Sequence, residues 1–159
     1  MPGRAIIRVS WAGNVLFAFT ALPVALGVDD LQPVAVVTAL VLFAVSLGVW
    51  GWAFAVAVAR SANGDNIAVG NLFLFEGSAP KPVRAHLFGS LGVCVLITAV
   101  TAVADPFGVL VPMLPLGLIG LWGARHGTFG LRPEARPEVR PLRPNRAPGG
   151  RTRRGRDGE

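Results

Sequence analysis

Few residues of this chain belong to the types that carry out chemistry, and they fall into small groups. His86 and His126 are the residue types of a metal site or a proton relay, with Asp65 and Glu76 the available carboxylates near the same side. No carboxylate or thiol stands at ligand spacing from either histidine, so side chains anchoring helix ends at a membrane surface account for both. Asp29, Asp30 and Asp105 are hard oxygen donors that would converge on one face and could take a cation. Acidic residues in short turns are also what membrane orientation alone requires, and that is the favoured reading. Asn14, Thr20, Ser46, Thr98 and Thr101 are neutral polar groups inside apolar runs. Such groups bond to neighbouring helices for about 0.6 kcal/mol each, and packing is a better account of them than substrate contact. Cys94 is the single cysteine, which excludes an intrachain disulfide and a thiolate metal cluster. No cofactor, metal site or catalytic set is expected, and the chain is read as a non-enzyme.

The largest chemical group is arginine. Ten of the fifteen basic residues lie beyond Ala124, and Arg125 to Glu159 carries ten Arg against Glu134, Glu138, Asp157 and Glu159. The formal net charge of +6 is therefore a property of the tail. Arg132, Arg136, Arg140, Arg143, Arg146, Arg151, Arg153, Arg154 and Arg156 are the candidates for contact with anionic lipid headgroups, each worth about 1 kcal/mol at a cytoplasmic surface. Nucleic acid shares these electrostatics but is not expected as a partner, because no aromatic residue follows Phe129 to stack on bases. Repeated Arg-Pro with little to bury predicts a disordered tail of polyproline II character over 125–159.

The elements that must position these residues follow from hydrophobicity. A hydrophobic fraction of 52% with 15% charge is too apolar for a typical soluble domain. Four stretches approach the roughly 20 apolar residues that a helix needs to cross about 30 Å of hydrocarbon. They are 9–28, 34–59, 87–104 and 107–124, the last two separated by Asp105-Pro106, where proline must break the helix. The expected fold is an all-α membrane protein of four transmembrane helices arranged as two hairpins. Arginine and lysine occupy the N-terminus (1–8), the connection 60–85 and the tail, while the short turns are acidic, so the positive-inside rule places both termini in the cytoplasm. Trp11, Trp50, Trp52 and Trp122 all map to that cytoplasmic interface as an aromatic belt. The rival reading of the N-terminus, a secretory signal peptide cut near Ala25 or Gly27, fits less well because Asn14 and Pro23 interrupt a run that is long for such a segment.

Within the 60–85 connection, Ile67 to Phe75 allow either a short β-hairpin around Gly70-Asn71 or, as preferred, a loop that tucks its Phe and Leu side chains away from water. Small residues recur where helices can approach closely: Ala53 and Ala57, Ala55 and Ala59, Gly89 and Gly92, and Gly117, Gly120 and Gly123. Pro112 and Pro115 predict a kink in the fourth helix.

This layout resembles small four-helix membrane proteins of unknown function from actinobacteria. The resemblance rests on the short acidic turns and on the Leu121 to Phe129 segment, LWGARHGTF, that closes the last helix before a Pro- and Arg-rich tail. It covers about residues 9 to 130 and implies no activity. The expectation is a bacterial inner-membrane protein acting as a non-catalytic scaffold or accessory subunit, packed against itself as a homo-oligomer or against a membrane partner. The alternative is a small oligomeric permease or channel with Asn14 and the Ser and Thr residues along its path. No span carries an ionisable residue at its centre, which counts against ion-coupled transport.

Overall fold

The computed structural model describes residues 3–67, 72–74 and 79–129, whose regular elements are helices, with no strand among them. Four α-helices carry the fold: α1 Arg4–Ala25, α2 Gln32–Ala62, α3 Lys81–Thr101 and α4 Met113–His126. Short 3₁₀ segments at Asp29–Leu31 and Pro106–Leu110 join the first pair and precede the last helix. Four helical stretches are long and apolar enough to cross a membrane, the fourth being Pro106–His126 taken with its 3₁₀ turn.

The buried positions show why these sequences form packed helices. On α1 they are Ile6, Ser10, Gly13, Asn14, Phe17, Ala21 and Val24, and on α3 they are Val83, Leu87, Ser90, Cys94, Thr98 and Thr101. Steps of three and four residues put each set on one stripe of a 3.6-residue helix. The two stripes face each other, since α1 packs chiefly on α3. On α2 the buried stripe is Ala35, Ala39, Leu42, Ser46, Ala53 and Ala57, mostly small residues that let a neighbour come close. That neighbour is α4, the most extensive helix pair of the molecule.

The fourth apolar stretch, Pro106–His126, is the central element. Of its apolar window 61% is buried, against 22–28% for the other three, and α4 touches all of α1, α2 and α3. It is also the least regular. Pro106, Pro112 and Pro115 each remove a backbone donor, so the chain runs as a 3₁₀ turn from Pro106 to Leu110 and only becomes α-helical at Met113. The expected kinked helix over 107–124 is thus a broken one, with a 14-residue helix as its regular part. At the opposite extreme, α2 has 31 residues and a length of about 46 Å, longer than a hydrocarbon core.

Its glycines explain how the centre closes. A methyl group on Gly117 would lie 2.8 Å from the Trp50 ring, and one on Gly123 would collide with the carbonyl oxygen of Leu72. The connection after α2 therefore folds back onto α4: Leu74 is fully buried, and the Phe73 ring sits 5.7 Å from Trp50. Leu72, Phe73 and Leu74 are tucked against the bundle, while 68–71, which hold the turn of the alternative hairpin, lie outside the described residues. By contrast, Gly48, Gly51, Gly89 and Gly92 face open space.

Candidate functional site

Ser10, Asn14, Ser90, Thr98 and Thr101 are buried polar side chains along the α1–α3 seam. Ser10 and Ser90 share a hydrogen bond of 2.6 Å, and the Asn14 amide donates to the Ser90 carbonyl at 2.6 Å. Ser90 also donates to Leu87 within its own helix at 2.9 Å. Higher on α3, Thr98 donates to the carbonyl of Gly108 at 3.3 Å, which ties the helix to the 3₁₀ turn, and Thr101 donates to Ile97 at 2.9 Å. Thr20 and Ser46 bond to carbonyls of their own helices, Leu16 and Phe17 for the first and Phe43 for the second. Of the five neutral polar residues read from the sequence, Asn14 and Thr98 join separate elements and Thr20, Ser46 and Thr101 do not. The sequence signal for Ser10 and Ser90 is only their place at the three- and four-residue steps that the buried apolar residues define.

Asp105 ends this seam, and its position departs from expectation. Asp29 and Asp30 are exposed, whereas Asp105 is fully buried and neither carboxylate oxygen has a hydrogen-bond partner among the described residues. The reason is the fold-back of the chain after α3. The Asp105 amide donates to Thr101 at 2.7 Å, and a methyl group on Gly108 would meet both the Phe17 ring at 2.9 Å and Asp105 Oδ2 at 3.3 Å. Phe17 lies eight residues before the end of α1, about 12 Å below it. The carboxylate is therefore inside the bundle, and the three aspartates do not form one acidic face. No cluster of three His, Cys, Asp or Glu side chains exists among the described residues.

At the other end of the bundle Arg60 forms a node. Its guanidinium pairs with Asp65 at 2.7 Å, donates to the carbonyls of Ala124 at 3.0 Å and Gly127 at 3.1 Å, and stacks 4.7 Å over the Phe129 ring. These carbonyls belong to the end of α4, where the helix has no intrahelical donors left, so Arg60 serves as its cap. His86 and His126 are both exposed, and His126 stands 5.5 Å from the Trp122 ring. Trp122 itself is a core residue at 1% exposure rather than a belt residue, and the Gly3 backbone closes against it. Trp50 is tied inward too, donating to Met113 at 3.1 Å, while Trp52 is 60% exposed. Arg125 lies 6.0 Å over the Trp52 ring. The arginines from Arg132 to Arg156 lie outside the described residues.

The outward surface is apolar. Phe19, Phe54, Leu96, Val100 and Val103 are each at least 66% exposed. On α2 a shallow groove is lined by Gly48, Gly51, Trp52, Ala55, Val56 and Ala59. Comparison with protein-family models, with curated proteins and with solved structures finds no match to this chain.

Proposed function

We propose that this chain is a multi-pass protein of the bacterial inner membrane that acts without catalysis, as a scaffold or accessory subunit. The observation that carries this reading is the outer face of α2. Small residues at Gly48, Gly51, Ala55 and Ala59 leave a groove open beside the exposed Trp52, while Ala35, Ala39, Ala53 and Ala57 on the opposite face of α2 are buried. In lipid, small residues aligned on one face permit close helix approach, and a second helix gains van der Waals contact there. Both termini, the 60–85 connection and the basic tail face the cytoplasm in this reading, with the tail on anionic headgroups.

A photocrosslinking side chain placed at Ala55, with one at Phe19 of α1 as control, tests it in native membranes. The expected result is one adduct of defined mass, with a second copy or a partner subunit, from position 55 and none from position 19. Lipid adducts alone at both positions would contradict it. The second reading, a small oligomeric permease or channel, has one observation in its favour, the carboxylate of Asp105 inside the bundle.

A further inference from the structure

A carboxylate enclosed away from water is costly unless hydrogen bonds or an opposite charge compensate it. Asp105 has neither among the described residues: it is fully buried and both of its oxygens lack a partner. The Lys and Arg residues of the helices are Arg4, Arg8, Arg60, Lys81, Arg84 and Arg125, all near helix ends, and the sequence has no Lys or Arg between Arg8 and Arg60 or between Arg84 and Arg125. A proton or a bound cation would neutralise the carboxylate.

The surroundings of the carboxylate state what kind of charge fits. The backbone beside it is unwound over Pro106–Leu110, well inside the level reached by α1. Irregular backbone at such depth is tolerated where it is enclosed by protein, and in broken membrane helices its carbonyls coordinate small cations. Here the Gly108 carbonyl accepts from Thr98, whose hydroxyl keeps its lone pairs, and the buried Thr101 hydroxyl donates to Ile97 and keeps its own. One carboxylate with hydroxyl and carbonyl oxygens is a hard donor set carrying a single negative charge. A divalent ion normally recruits more carboxylates, and a soft metal would need sulfur or imidazole.

We propose that Asp105, with the Gly108 carbonyl and the hydroxyls of Thr98 and Thr101, binds a monovalent alkali cation of sodium size, which pins the 3₁₀ turn to α3. The site needs only the bundle, and it stands or falls independently of whether the outer face of α2 docks a partner.

Thermal unfolding of the full chain in non-ionic detergent, with sodium chloride replacing choline chloride at constant ionic strength, tests the proposal. Sodium should raise the midpoint saturably, as a ligand bound only by the folded state does. Asp105→Asn should remove that dependence, and Thr98→Val, which keeps the packing, should raise the half-saturating sodium concentration about tenfold, the effect of about 1.4 kcal/mol. A flat response in the wild type overturns the proposal, as does an equal response in Asp105→Asn. So does an Asp105→Asn midpoint raised equally in both salts, the behaviour of a carboxylate without a ligand. Should Asp105→Asn not fold, an unchanged half-saturation in Thr98→Val overturns it.

Discussion

Arg60 and Ala124, on helices that meet nowhere in sequence, are joined by a guanidinium-to-carbonyl hydrogen bond of 3.0 Å. The same guanidinium reaches Gly127 and Asp65, so one side chain closes the ends of α2 and α4 and the start of the connection between α2 and α3. Arg60→Met keeps the length but removes every donor. A loss on the order of 1–3 kcal/mol is expected, read as a lowered unfolding midpoint in detergent. Arg60→Lys restores the charge without the planar fork and should recover only part of it. If Met behaves as wild type, the node has no structural role.

Ser10 and Ser90 offer a clean coupling measurement, because both hydroxyls are buried and their bond joins α1 to α3. Hydrogen bonds between membrane helices average about 0.6 kcal/mol, with a maximum of about 1.7 kcal/mol. A double-mutant cycle of Ser10→Ala and Ser90→Ala should give a coupling energy in that range. Strict additivity of the two substitutions would show that the bond contributes nothing.

Glycines on α4 and α2 should respond in opposite directions to the same change. Gly123→Ala drives a methyl group into the Leu72 carbonyl, backbone that cannot yield cheaply, and should cost about 1–3 kcal/mol. Gly48→Ala meets nothing and should be neutral or stabilising by up to about 1 kcal/mol through helix propensity. Unfolding midpoints of the two variants decide this, and equal effects would contradict the central position of α4.

Much of the fold is legible in the residues. Length and hydropathy mark four apolar helices, and the prolines at 106, 112 and 115 mark where the last one breaks. What composition cannot convey is rank among the helices. The fourth span is as apolar as the third, yet one is enclosed and the other exposed, because glycines at 117, 120 and 123 admit Trp50, Phe73 and the Leu72 backbone. Trp122 looks like an interfacial indole for the same reason, and becomes a core residue once the N-terminus closes over it. The break at Asp105-Pro106 is legible, but the burial of its carboxylate is not, because Asp-Pro after an apolar run is the mark of a turn in water. Nothing local tells that this turn folds back under Phe17.

The central claim, that hydrocarbon receives these helices and basic residues fix their direction, is tested most directly by labelling single cysteines in intact cells. In a Cys94→Ala background, Asp29→Cys and Asn63→Cys place thiols on exposed positions at opposite ends of α2. A membrane-impermeant maleimide should label position 29 from outside the inner membrane and position 63 only after the membrane is permeabilised. Labelling of position 63 from outside with position 29 protected, or both thiols reacting in a protein recovered without detergent, would contradict the account.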